Sequence, residues 1–227
     1  MRKAYRTVAA KKGFVAKSAA NIFQALITVC GLFLMIALLY HSIARFALNS
    51  NQYPVGQDEK HQVFAMMAEE LTQYLSGRRP SLSSLFTERE AAHMVDVLHL
   101  FQLGRRVSIF AATLFLIVVF AAWKTKAPRY QCLKRFQLGM GLFFLFAFLL
   151  ALWAAIDFNG WFIVMHKVAF SNDLWLLDPR ESMLIQMLPV EFFMRAVRII
   201  LARFFAYAAI LTMLTTIMRI LFKKKAR

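Results

Sequence analysis

The chain of 227 residues is 60% hydrophobic and 15% aromatic, with a mean hydropathy of +0.54 and a formal net charge of +16. This composition excludes a soluble globular domain and indicates an integral membrane protein. Because the basic residues are divided among short segments beside apolar runs, anionic lipid and membrane topology account for them, and we expect no nucleic-acid partner.

Four apolar runs are long enough to cross a hydrocarbon core of about 30 Å, which takes roughly 20 helical residues. They cover residues 22–44, 107–123, 136–156 and 196–221. We therefore predict an all-α polytopic membrane protein in which four transmembrane helices form a single membrane domain, residues 1–227. The segments 48–106 and 157–193 are expected to form an extracytoplasmic cap of loops and amphipathic helices.

The distribution of charge predicts the orientation, because basic residues near span ends are retained on the cytoplasmic side. More than half of the 28 Lys and Arg lie in three segments that contain no Asp or Glu, namely 2–17, 124–135 and 219–227. We expect both termini in the cytoplasm and both cap segments outside. The chain would then be a multi-pass membrane protein with both cap segments on the outer face.

The first cap segment contains an amphipathic helix from about Lys60 to Leu75. Its apolar stripe comprises Val63, Phe64, Met67 and Leu71. Glu69, Glu70 and Gln73 are expected on the opposite, polar side. This pattern predicts a helix that lies on the membrane or packs against the bundle.

A second helix is predicted just before the second span. Thr87 can cap it, and Glu88 and Glu90 in its first turn complement the helix dipole. Glu90, His93 and Asp96 recur every three residues, so they form a column of titratable side chains on one face.

The second cap segment, residues 157–193, is too polar to span a bilayer and too apolar for a solvated loop. Its aromatic rings prefer the membrane surface, so we interpret it as a substrate-facing ledge with His166 as the reactive group. The supporting residues proposed beside it are Asn172, Asp173, Trp175 and Asp178.

Basic residues at the outer ends of spans two and four predict contacts with lipid or its headgroups. They are Arg105, Arg195, Arg198 and Arg203. Arg203 lies roughly 7 Å deeper along its helix than Arg198. It is therefore either a headgroup-binding residue or an anchor that snorkels to the surface.

The candidate chemistry rests on histidine, since an imidazole can relay the proton that acyl transfer to an amine requires. The sequence contains no G-x-S-x-G elbow and no cysteine in either cap segment, so the usual signals of an acyl-enzyme nucleophile are absent. Ser171 is either a nucleophile or a residue that caps a helix or turn. Cys30 and Cys132 have no metal or redox spacing. A zinc site built from both histidines and a carboxylate remains an alternative.

A resemblance to a known family is carried by two blocks of sequence. F-T-E-R-E-A-A-H-M-V-D-V resembles the helix before the second span in the lipoprotein intramolecular transacylase (Lit) family of bacterial four-span membrane proteins. M-H-K-V-A-F-S-N-D-L-W-L-L-D-P, followed by P-V-E-F-F, resembles that family's outside block between spans three and four. The order and length of the four spans fit the same family.

The resemblance implies an acyltransferase whose partners are diacylglyceryl-modified lipoproteins and membrane lipid. It would move the sn-2 acyl chain to the α-amino group of the lipoprotein's N-terminal cysteine, giving the lyso form. The family's two functional histidines would fall on His93 and His166, and we expect no cofactor.

In this interpretation one histidine takes the amine proton, and the other stabilises the oxyanion or protonates the leaving oxygen. Asp96, Asp173 or Asp178 is expected to orient an imidazole. The alternatives are a metal-dependent membrane lipid or ester hydrolase and a non-enzymatic scaffold that binds lipoprotein or lipid. A transporter is disfavoured because no broken-helix signature is present.

Overall fold

The computed structural model describes residues 2–53, 58–125 and 127–225, and these residues form helices without strands. The α-helices are α1 Arg2–Ala47, α2 Glu59–Leu75, α3 Glu88–Lys124, α4 Arg129–Ile156, α5 Phe158–Ala169, α6 Met183–Met187 and α7 Val190–Lys225. Within the described ranges, α1, α3, α4 and α7 are long and apolar enough to span a membrane. The predicted class, an all-α polytopic membrane protein, is confirmed.

The chain divides into two compact units. The first comprises Met1–Ile36, Ile109–Phe146 and Ala208–Arg227, and the second comprises Ala37–Ser108 and Ala147–Tyr207. All four long helices run from one unit into the other. The 37 residues of α3 extend about 55 Å at roughly 1.5 Å per residue, so its first turns lie well beyond the apolar run 107–123.

In the first unit, α1 and α4 approach each other at two glycines. A Cβ atom at Gly31 would lie 2.2 Å from the carbonyl oxygen of Phe136, and one at Gly139 would lie 1.8 Å from that of Thr28. Only glycine permits backbones to pack this closely. The approach therefore fixes α1 against α4.

The second unit contains an apolar core around α2. The predicted stripe of α2 faces this core, with Phe64, Met67 and Leu71 at most 4% exposed and Val63 partly buried. Glu70 was placed on the polar side from its spacing, and that prediction is wrong, since it is only 7% exposed. Its carboxylate accepts hydrogen bonds from the backbone N–H and the hydroxyl of Ser83, so it anchors the loop that follows α2.

The helices that carry the candidate site begin with local caps. Thr87 caps the start of α3, as the sequence predicts, and Glu90 completes a reciprocal capping box, with the Thr87 N–H donating to Glu90 Oε2 at 2.8 Å. The Asp157 carboxylate caps α5 by accepting from the Gly160 N–H at 2.9 Å. Residues 170–182 connect α5 to α6 without helix and are called the strap below.

Candidate active site

The start of α3 and the last turn of α5 bring His93 and His166 together. Their ring centroids are 6.4 Å apart, and the two residues are 8% and 9% exposed. Aromatic rings enclose the pair: Phe162 and Trp175 lie 4.0 Å and 4.9 Å from His166, and Phe170 lies 5.1 Å from His93. The two predicted functional histidines thus share one largely dry, aromatic environment within the second unit.

The helix backbone orients His166. Its Nδ1 lies 2.8 Å from the carbonyl oxygen of Phe162, one turn earlier in α5. Because a carbonyl only accepts, Nδ1 carries the proton and Nε2 of the neutral ring carries the lone pair. The acceptor for this ring is a backbone group and none of Asp96, Asp173 and Asp178, the carboxylates expected to orient an imidazole.

His93 has an unused hydrogen-bonding atom. Its Nδ1 is buried and has no partner among the residues that the structure describes. A buried polar atom without a partner is unfavourable, because burial removes its hydrogen bonds to water. The hydrogen-bonding capacity of Nδ1 of His93 is therefore unused within the described residues.

Both imidazoles have lowered pKa values. Burial is the main cause of the fall in the pKa of His93 from its ordinary 6.5 to about 4, the proximity of His166 adds to it, and Asp96 opposes it. Burial also lowers the pKa of His166, while the hydrogen bond to the Phe162 carbonyl opposes the shift. Both rings are consequently neutral at physiological pH and available for proton transfer.

Glu90 is the most deeply buried charged residue near the histidines, with no exposed surface. Its Oε1 accepts from the Ser182 hydroxyl at 2.5 Å and from the Leu184 N–H at 2.9 Å. The carboxylate that closes the capping box of α3 therefore also holds the start of α6.

The strap is also attached to α3 by two exposed hydrogen bonds. Asn172 Nδ2 donates to Asp96 Oδ2 at 2.8 Å, and Arg89 donates to the backbone oxygen of Asp173 at 2.7 Å. The predicted supporting residues Asp96, Asn172 and Trp175 thus lie around the histidines, where Trp175 contacts His166 directly.

Other predicted residues do not reach the imidazoles. The carboxylate of Asp178 binds the guanidinium of Arg180 at 2.6 Å instead. The side chains of Ser171 and Asp173 are exposed. No group of three His, Cys, Asp or Glu with metal-binding geometry occurs within the described ranges, so the arrangement gives no support to the zinc hydrolase alternative.

The four arginines predicted to contact lipid occupy different environments. Arg105 and Arg198 are exposed. Arg195 donates to the backbone oxygen of Gln52, and its guanidinium carbon lies 5.6 Å from the Phe192 ring centroid. Arg203 is partly buried, and its Nη1 is enclosed with no partner in the part of the chain that is described. Lipid contact by these residues stays a prediction.

Sequence reasoning missed three contributors to the site: the backbone carbonyl of Phe162, Arg89 and Ser182. Ser182 could have been identified as a helix cap, since its hydroxyl accepts from the Ile185 N–H. Its second bond, to Glu90, joins distant parts of the sequence and has no local signal. A backbone acceptor such as the Phe162 carbonyl has no residue-type signature at all.

Comparison with known proteins identifies one family. The model of the family described as "Lipoprotein intramolecular transacylase Lit" matches residues 19–193. No curated protein matches the chain.

Three similar solved structures come from the membrane integral lipoprotein intramolecular transacylase Lit of Bacillus cereus. One has 23% identity and a TM-score of 0.72, covering 92% of this chain and 99% of the other. A variant with one histidine replaced by arginine has 20% identity and a TM-score of 0.69, covering 96% and 98%. A variant with one histidine replaced by alanine has 21% identity and a TM-score of 0.69, covering 95% and 99%.

Proposed function

Because this chain belongs to the lipoprotein intramolecular transacylase family, whose model matches residues 19–193, we propose that it converts diacylglyceryl lipoproteins to the lyso form. Family membership makes it a membrane acyltransferase that performs intramolecular transacylation of lipoproteins. The proposal adds that the sn-2 acyl chain moves to the α-amino group of the N-terminal cysteine, and that His93 and His166 carry out the transfer.

The observation that carries this proposal is the buried pair of neutral histidines 6.4 Å apart, with one lone pair fixed at Nε2 of His166. Donor ester and acceptor amine belong to one substrate molecule. Orientation in such a reaction is worth on the order of 7–11 kcal/mol when the geometry is good. An enzyme that folds its substrate correctly then needs a proton carrier more than it needs a nucleophile.

We assign different roles to the two rings. Nε2 of His166 takes a proton as the amine nitrogen attacks the sn-2 ester carbonyl carbon, and an N–H of His93 donates a hydrogen bond to the oxyanion. As the bond between this carbon and the glyceryl oxygen breaks, His166 returns the proton to that oxygen. The products are an amide and a free glyceryl hydroxyl, and neither histidine changes its protonation state overall.

Two further arguments support a histidine-dependent reaction in the membrane. The Bacillus cereus variants, in which a single histidine was replaced by arginine or alanine, agree with a central role for histidine. The charge distribution favours cytoplasmic termini and a cap on the outer face of a bacterial cell membrane. There the substrate's acyl chains stay in the outer leaflet while its glyceryl group reaches the histidines.

The test is mass spectrometry of the N-terminal peptide of a diacylated lipoprotein, co-expressed in a bacterial host without other N-acylating enzymes. Wild type should move one chain to the amine at unchanged total mass, and His93→Ala or His166→Ala should remove conversion while the protein remains in the membrane. The matched control is His99→Ala, because His99 is an exposed histidine on α3, the helix that carries His93.

Two results would contradict the proposal. Loss of one acyl chain would indicate hydrolysis instead of transfer. Full activity of the double variant His93→Ala/His166→Ala would exclude the histidine mechanism.

A further inference from the structure

One buried carboxylate holds the starts of two helices that are distant in sequence. Oε2 of Glu90 accepts from the Thr87 N–H at 2.8 Å, which completes the capping box of α3. Oε1 accepts from Ser182 and Leu184 at 2.5 Å and 2.9 Å. A capping box requires only the first of these bonds. The bonds at Oε1 therefore need an explanation beyond the capping box of α3.

The location of these bonds supplies that explanation. His93 follows Glu90 by three residues on α3, and Ser182 is the last residue of the strap, which carries Phe170 and Trp175 against the two histidines. The other two attachments of the strap to α3, from Asn172 and Arg89, are exposed. Exposed hydrogen bonds compete with water and contribute little, whereas bonds to a buried carboxylate are strong.

We propose that Glu90 is a positioning residue for the transacylation reaction, and that its bond to Ser182 holds the strap closed over His93 and His166. The strap in turn keeps water from the imidazoles and fixes Trp175 against His166. Glu90 itself touches neither imidazole and acts through Ser182 and the first turn of α3. The inference rests on the proposed function, because it assigns a role relative to that reaction.

The experiment compares Ser182→Ala with Ser42→Ala in the full-length protein. Both serines are buried in the second unit, at 5% and 0% exposure. Among the described residues, however, the Ser42 hydroxyl bonds only the Leu38 carbonyl of its own helix, at 2.9 Å. Ser182→Ala removes the hydroxyl that binds Glu90 and also caps α6, whereas Glu90→Gln, the second variant, leaves that cap in place. Two quantities are measured: the rate of lipoprotein conversion, and the pH midpoint of histidine C2–H exchange for each histidine.

We expect Ser182→Ala to lower the conversion rate about tenfold or more, which is the effect of losing a hydrogen bond to a charged group. It should also raise the exchange midpoints of His93 and His166 toward 6.5, because water enters when the strap loosens. Ser42→Ala should change neither quantity. If Ser182→Ala only destabilised the fold, less protein would be folded, but the exchange midpoints measured on the folded fraction would not move.

The two readouts separate failure of this inference from failure of the proposed function. If wild type converts the lipoprotein and Ser182→Ala changes neither rate nor midpoints, the positioning role is overturned. If wild type does not convert the lipoprotein but Ser182→Ala still moves the midpoints, the proposed reaction fails and the closure of the strap by Glu90 stands.

Discussion

His166 donates its Nδ1 proton to the carbonyl oxygen of Phe162, 2.8 Å away and one turn earlier in the same helix. In serine hydrolase triads a buried aspartate occupies this position and stabilises the imidazolium that forms. A peptide carbonyl has no formal charge, so it fixes the tautomer while giving less stabilisation to the protonated ring. The resulting base is oriented but weak, which suits a proton that is carried only briefly.

The lowered pKa values predict how the histidines respond to acid. Because both pKa values are lowered, each ring should still be neutral when the pH falls just below 6.5, the ordinary pKa of histidine, and His93 should titrate near 4. We expect histidine C2–H exchange, measured by mass spectrometry, to give midpoints below 6.5 for both. The conversion rate should already decrease when the pH is lowered below about 8, because the substrate's α-amino group becomes protonated in that range.

The same shifts predict acid sensitivity of the fold. As the pH falls below 6.5, the unfolded chain binds protons at these positions before the folded chain does, so the free energy of unfolding decreases. Above 6.5 the two histidines should contribute no pH dependence. A free energy of unfolding that rises on acidification from 6.5 toward 4 would contradict the burial of the pair.

Asp96→Asn isolates the effect of one charge on His93. The Asp96 carboxylate favours the protonated ring and raises its pKa, so removing the charge should move the exchange midpoint of His93 to lower pH. The amide oxygen of the new side chain can still accept the hydrogen bond from Asn172. Asp173→Asn, which changes an exposed carboxylate of the strap, is the control. An upward shift in Asp96→Asn would rule out this electrostatic contribution.

Gly139→Ala should destabilise the first unit. The added Cβ would lie 1.8 Å from the Thr28 carbonyl oxygen, whereas at Gly141, on the same helix, it would meet nothing within 4 Å. Forcing the two backbones apart should cost about 1–3 kcal/mol, while Gly141→Ala should be neutral or slightly stabilising. Thermal unfolding in detergent measures both, and equal unfolding temperatures would show that α1 and α4 are not packed so closely.

The proposed topology predicts the labelling of single cysteines. In a Cys30→Ser/Cys132→Ser background, Ser171→Cys and Thr125→Cys each place a thiol at an exposed position. A membrane-impermeant maleimide added to spheroplasts should label Ser171→Cys, and should label Thr125→Cys only after lysis, because the connection between α3 and α4 is basic and expected inside. Labelling of Thr125→Cys in intact spheroplasts and of Ser171→Cys only after lysis would show the opposite orientation.

Features that depend on local pattern could be predicted from the order of residues. The number of long apolar helices follows from hydrophobic length, and the start of α3 follows from the capping residues Thr87 and Glu90. The two blocks that contain His93 and His166 were sufficient to indicate the family, which the family model confirms. These signals lie within short stretches of chain, where spacing and residue type are informative.

The contacts of individual side chains could be learned only from the folded chain. Glu90 was expected as a dipole-complementing residue at a helix start, yet its second oxygen binds Ser182. Asp178 was expected near an imidazole but pairs with Arg180, and a backbone carbonyl occupies the expected carboxylate position. Contacts between segments distant in sequence depend on the folded path of the chain, and a backbone acceptor looks the same at every residue, so neither can be read from residue type or spacing.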